Sequence, residues 1–430
     1  VTDFDEARQR YAAERTTKEA ARNDLAEAVE HVKALERTAA QRARTDDAPN
    51  DDELTAARGE VSARRAAFAD HRAVVVQAGL DFAALIDPTE SVQRLPDDVP
   101  IALFPLRLET RFVTVDQGGT AQRFLYVRVF PDDVLVDTFQ DRIAAAEYDK
   151  VVLYWTQRWR AGGEASGHRA AWAGLVRGVG PGRAHWLTQQ VEPLNVGDEP
   201  SIGSGEHVLV IRPAVPVPAA EHVAIAAFWA RMWSTSGAER DQAFTDLSAA
   251  VGAGRAADVE QRLEPVNLRD PDVKPSDDIS AVVAFLDLPD PSTLPLAQDA
   301  WARPARAWLM PEQLVLLGFQ ERQQILREFG EPIPPDLQVG PDPGAVGTDQ
   351  IKADGPDLEL PDELTWLVDF DDAVAKGMGF KVNLTEHNLP SAFDRLFVLG
   401  IRLASDAIEA ADELAELITH HQASRKGFSL

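Results

Sequence analysis

The sequence predicts an α+β protein in which a long N-terminal antiparallel helical hairpin of coiled-coil type precedes mixed α+β domains. Three observations carry this. The run from Asp5 to Arg44 contains neither Gly nor Pro; after Pro100 the apolar period changes from helical to two; and beyond that point strands come grouped ahead of helices instead of alternating with them.

The first helix spans about Asp5 to Arg44 and is rich in Ala, Glu and Arg, all good helix formers. Leu25, Val29, Val32 and Leu35 step by four and three, which places them on one stripe as an interaction surface. Pro49 and its acidic neighbours break that helix, and a second runs from about Glu53 to Leu85. It offers Val61, Phe68 and Val75 to the stripe, so residues 1–86 are expected to fold back as a hairpin. The seam is narrow and Ala-rich, so it calls for the body of the protein, or a partner, to pack along it.

Residues 99–270 are expected to form an α+β body. Ile101–Val115 and Arg123–Val129 read as strands joined by a turn at Asp116–Gly119, and Val134–Val136 as a third. Helices follow over Ile143–Trp159 and Gly167–Val179, with Gly178–Gly182 as a helix stop and turn. A strand at Glu206–Arg212 then leads into a helix holding Phe228, Trp229 and Trp233. The Trp pairs 155/159 and 229/233 are spaced i, i+4, which favours a core stripe over an exposed aromatic platform.

Residues 271–430 read as a smaller α+β unit. Val282–Leu288 is a strand, and Arg306–Phe319 a strand with a short helix. An acidic, Pro/Gly-punctuated stretch over 331–372 reads as an exposed linker or long loop. Trp366–Asp371 and Lys381–Leu384 are short strands, and Ser391–His421 is strand then helix. The ending at Gly427–Leu430 looks cut from a longer chain.

Composition limits the partners. A formal charge of −27 repels phosphate backbones and anionic lipid, so neither nucleic acid nor membrane is expected as a partner. Protein partners are expected, including self-association through the helical hairpin. With no cysteine there are no disulfides, thiolate nucleophiles or cysteine-rich metal sites. Neither a signal peptide nor a run of about 18 apolar residues is present, so a cytoplasmic protein is expected.

Several stretches carry a resemblance: Pro105–Phe112, Arg128–Asp137, Trp172 with Gly180–Trp186, Trp366–Asp371 with Gly377–Met378, and Asp394–Gly400. Together, across residues 99–430, they resemble the N-terminal part of large, poorly characterised bacterial proteins associated with phage-tail-like contractile injection particles. The resemblance implies a structural component, an accessory or a cargo of such a particle, and a location inside the released particle as well as the cytoplasm. It carries no catalytic residues.

The chemistry-bearing residues are few. Arg107, Glu109 and Arg111 alternate along a strand and so share one face, as an anion-binding row or as partners in cross-strand ion pairs with Arg128 or Asp137. Asp132, Asp133 and Asp137, and further on Asp369, Asp371 and Asp372, supply oxygen ligands of the kind Ca²⁺ takes, although Pro131-Asp132-Asp133 is also a turn signature and no EF-hand spacing exists. No catalytic residue and no cofactor is assigned, structural Ca²⁺ remaining open. His420 and His421 are adjacent near a helix end, which suits a cap better than a metal pair. His-Glu-x-x-His, Gly-x-Ser-x-Gly and Walker patterns are absent. An interaction or scaffold module is therefore the first reading, and a metal-dependent hydrolase using carboxylates near Glu109, Asp133 and Asp137 the alternative.

Overall fold

A computed structural model describes residues 3–43, 51–83, 85, 102–117, 120–203, 205–235, 237–345, 350–354, 357–390, 392–405 and 407–425. The break at Pro49, the turn glycines 118 and 119, and the ending at 427–430 lie outside the described residues. The fold is mixed α+β with several small sheets. In chain order it runs α1 (Asp3–Ala43), α2 (Asp51–Ala83), β1 (Leu106–Gln117), β2 (Thr120–Pro131), β3 (Val136–Asp137), β4 (Ile143–Ala144), α3 (Ala145–Ala161), α4 (Ala165–Val179), α5 (Pro181–Gln190), β5 (Glu206–Ile211), α6 (Ala219–Ser234), α7 (Ala238–Val251) and α8 (Ala253–Arg262). Then come β6 (Ser280–Phe285), β7 (Leu296–Ala297), β8 (Arg306–Ala307), β9 (Val315–Gln320), β10 (Gln323–Phe329), β11 (Lys352–Asp354), β12 (Asp357–Glu359), α9 (Phe370–Ala375), β13 (Gly379–Asn383), β14 (Arg395–Leu399) and α10 (Ala407–Ala423). Among the described residues no helix is long and apolar enough to cross a membrane.

The chain divides into two compact units, Val1–Thr138 with Ala302–His420, and Phe139–Trp301 with His421–Ser429. This differs from the expected consecutive segments 1–86, 99–270 and 271–430. The reason is long-range strand pairing: β2 takes β13 as its second neighbour, so the proposed body gives up its first strands to a sheet completed near residue 380.

In the first unit, β1-β2-β13 and β10-β9-β14 are antiparallel three-stranded sheets. Leu125, Val127 and Val129 of β2 alternate inward, as a half-buried antiparallel strand requires, and meet Phe380, Val382, Leu314, Leu316, Trp366 and Leu417. Trp366 is fully buried and donates its indole N–H to the Gln338 carbonyl, 2.9 Å away. The stretch 331–372 is exposed only in its middle, over the described residues from about 341 to 359, whereas Ile333, Leu337, Leu364 and Trp366 towards its two ends fill the core. Residues 365–367 form a 3-10 turn leading into α9, not a strand, because the Asp369 carboxylate accepts the Asp372 N–H and caps that helix. Likewise Val134–Val136 is mostly a 3-10 turn capped by Asp132. No helix forms within Arg306–Phe319; β8 and β9 are joined by extended backbone and turns.

Helices α1 and α2 run side by side in opposite directions, with Arg10 paired to Asp81 (3.2 Å) and Arg64 to Asp24 (2.7 Å). Buried Ala57, Val61, Val75, Ala78 and Phe82 of α2 fall on a spacing of four and three, and Phe82 stacks with Tyr11 of α1. α1 also lies against the sheets of its own unit. Lys18 meets Asp336, Arg15 meets Glu413 of α10, and Glu19 meets Arg306.

In the second unit β5 and β6 pair in parallel, with helices over both faces. That burial on both sides is why Val208–Ile211 reads as a continuous apolar run. Val208 and Val210 face α3, α4 and α5, while Ile211 and Phe285 face α6, α7 and α8. Trp155, Trp159, Trp229 and Trp233 are buried, as the i, i+4 spacing predicts. α4 stops at Gly180, whose φ of 89° suits glycine, and Pro181 then starts α5 at its first turn.

Candidate functional site

β1, as long as β2 at 12 residues, lies at the edge of its sheet, since among the described residues the order β1-β2-β13 leaves one side of it unpaired. Among the described residues, Leu106–Val115 makes no backbone hydrogen bond on that outer side. An open row of N–H and C=O groups is a template for another strand, and proteins usually guard such edges with charged side chains (Lys above all), Pro, bulges or covering loops; the charges on β1 are of both signs, Arg107, Glu109 and Arg111 among them. β1 contains neither Lys nor Pro, and its pairing with β2 is regular from Leu106↔Pro131 to Gln117↔Thr120.

The predicted row Arg107, Glu109 and Arg111 sits on this strand, facing the side of Phe130, Arg128 and Tyr126. Arg107 and Glu109 are about two-thirds exposed and loosely paired at 3.7 Å. Arg107 lies over the Phe130 ring at 4.3 Å. Arg111 is exposed and has no ion-pair partner among the described residues. The expected cross-strand pairs are not made: Arg128 instead donates to the carbonyls of Trp366 and Asp369, and Asp137 is buried beside Arg306 and His420. On the opposite face of β1, Leu108 and Phe112 are 37% and 48% exposed although their neighbours on β2 are fully buried. The core runs out at the strand edge, leaving apolar and charged groups side by side.

A contrast within the same chain shows what a protected edge looks like. Beside β5, Asn267 is buried and its amide accepts the Val210 N–H (2.9 Å) and donates to the Val208 carbonyl (2.7 Å), while Val266 N–H reaches the Val210 carbonyl. One side chain thus stands in for a neighbouring strand. No comparable group lies along Leu106–Val115 among the described residues.

The other predicted residues have internal roles. Val29 is buried and Leu25, Val32 and Leu35 are half-buried, so the α1 stripe is turned into its own unit. Among the carboxylates named as calcium ligands, Asp132 caps the 3-10 turn and Asp133 is exposed within it. Asp137 faces His420 Nδ1 (3.2 Å) and Arg306 Nε (3.5 Å), cationic or donor groups that compete with a metal. Asp369 caps α9, Asp371 pairs with Lys381 (2.8 Å) and Asp372 with Lys376 (3.0 Å). Among the described residues no group of three or more His, Asp or Glu is arranged to hold a metal ion. His420, in the last turn of α10, lies against Asp137 (3.2 Å) and Glu416 (3.7 Å).

In the second unit a cleft of about 460 Å³ is lined by Gln157, Arg160, Arg177, Glu206 and His207 among others. Its polar groups are mostly engaged: Arg160 with Asp270, and Glu206 with the Gly203 N–H (2.5 Å). Burial, with the Arg160 charge adding to it, pushes His207 below its usual value. No local sequence pattern marks this cleft, because Arg160 and His207 are separated by the helices α4 and α5 and the turns around them. Comparisons with known protein families, with curated proteins and with solved structures found no match for the chain.

Proposed function

We propose that this chain is a protein-interaction module whose docking element is the open edge of β1, where a partner supplies an added strand. The observation that carries the reading is the edge from Leu106 to Val115, which makes no outer backbone hydrogen bond among the described residues, with Arg107, Glu109 and Arg111 exposed on one face and Leu108 and Phe112 on the other. Strand addition joins two chains through main-chain hydrogen bonds, and alternate side chains choose the partner. The helices α1 and α2, read as a coiled-coil hairpin, brace the sheets of their unit in this account. The resemblance to proteins of contractile injection particles supports a place as component, accessory or cargo of such a particle.

Affinity capture from lysate of the native host tests this, with the wild-type chain compared with Thr110→Lys. A lysine at mid-edge is a natural guard against strand addition. Loss of specifically captured proteins with Thr110→Lys supports the reading, and sheath, tube or baseplate proteins among those lost support the particle assignment. Equal capture by both chains contradicts a docking role for β1.

A further inference from the structure

We infer that the strand added to β1 is β1 of a second copy, paired antiparallel about a two-fold axis at Thr110. The inference rests on the edge-docking reading above and names its partner. A two-fold axis through Thr110 sets Thr110 opposite itself, Glu109 opposite the second copy's Arg111, Leu108 opposite its Phe112, and Leu106 opposite its Thr114. Every pairing except that of Thr110 with itself occurs twice, because the interface uses the same patch on both copies. Both exposed features of the edge find complements at once: each Glu109 gains the guanidinium of Arg111, which has no ion-pair partner among the described residues, and each half-exposed Phe112 gains a leucine.

Neighbouring registers do not achieve this. An axis at Glu109 sets that carboxylate against itself and Arg107 against Arg111. An axis at Leu108 pairs Arg107 with Glu109 but stays within β1 only over Leu106–Thr110, five residues against the nine from Leu106 to Thr114. An axis at Arg111 opposes two guanidinium groups. Like charges directly opposite one another destabilise a strand pair, which disfavours the Glu109 and Arg111 axes, while an axis at Phe112 sets Glu109 against Val115 and Arg111 against Val113 with no cation for the carboxylate; opposite-charge pairing therefore favours the Thr110 register.

The charge of −27 on each copy opposes approach at long range, yet at physiological ionic strength fields are screened beyond about 8 Å, and local pairing decides. A single shared strand edge buries little area, so a weak dimer, on the order of micromolar, is expected.

The absence of cysteine makes the test direct, since any introduced thiol is the sole one. Under mild oxidation Thr110→Cys should cross-link to itself as a covalent dimer, because directly opposed residues bring their Cβ atoms to about 5 Å. Glu109→Cys and Arg111→Cys should each cross-link poorly alone and well when the two variants are mixed. In sedimentation of the full chain, Glu109→Arg should weaken dimerisation by about tenfold or more. The double variant Glu109→Arg, Arg111→Glu should restore it, which a merely unfolded mutant could not do. A chain that is monomeric at high micromolar concentration, with no preference for the Thr110 cross-link, overturns self-pairing. The Thr110→Lys capture comparison then reads separately whether β1 takes a strand from another protein.

Discussion

Lys18, in the middle of α1, is 3% exposed and places its ammonium 2.7 Å from the carboxylate of Asp336. Burial pulls the Lys18 ammonium down from its usual value, while Lys18 with Arg72 and Arg22 outweighs the burial of Asp336 and holds that carboxyl below the usual range. The pair fixes α1 to the sheets of its unit in one register. Lys18→Ala leaves a buried carboxylate with one fewer counter-charge, and a loss of about 3–5 kcal/mol is expected in urea unfolding followed by circular dichroism. A loss below about 1 kcal/mol means that the helix is held by its apolar contacts instead.

Acid should release the same contact. Glu413 is also held below the usual range: its burial is outweighed by Arg402, Ser405 and Arg15. For carboxyls depressed in the folded state, the stability they contribute is present above the unfolded value of about 4 and is lost as pH falls through the folded values. Glu312, raised chiefly by burial, acts in the opposite sense and favours the fold when protonated. With two depressed groups against one raised, unfolding of the first unit is expected to steepen below about pH 4. Thermal melts from pH 6 to 3 check this, and a melting temperature that rises on acidification contradicts it.

Asn267→Asp tests the protected edge of β5. The substitution removes the amide N–H₂ that meets the Val208 carbonyl and sets a carboxylate against it in a buried site. About 2–3 kcal/mol of destabilisation is expected at neutral pH, and less at low pH, where the acid is neutral and donates.

Gly377→Ala should be more costly than an ordinary glycine replacement. Gly377 follows α9 with φ of 72°, and a Cβ there would fall 2.2 Å from the Glu331 carbonyl oxygen. The left-handed conformation alone costs an alanine about 1–2 kcal/mol, and the clash adds to it. Equilibrium unfolding gives the value; an unchanged midpoint contradicts the close approach.

Much of the secondary structure was legible, and the failures have physical causes. α1, α2, α3, α4, β5, β13 and α10 follow period and breakers that act locally. β10 was missed because its turn with β9 uses Glu321 and Arg322 at φ of 49° and 70°, positions where sequence reasoning looks for Gly or Asn. The start of α5 reads as a turn because Pro181 and the three glycines of Gly178–Gly182 mark a stop, yet Pro at the first helical turn also marks a start. The division into units was not legible at all, because the pairing of β2 with β13 joins residues some 250 positions apart. At the candidate site, Arg107, Glu109 and Arg111 were visible from period two. That their strand lies at an edge depends on sheet order, which no local pattern encodes.

Hydrogen exchange along β1 tests the central claim most directly. With the full chain measured at rising concentration, and again with any captured partner present, alternate amides between Leu106 and Thr114 should slow as the open edge acquires hydrogen bonds, while those already paired to β2 stay protected throughout. β1 amides that exchange at the same rate when dilute, when concentrated and in complex would contradict an edge that binds a strand.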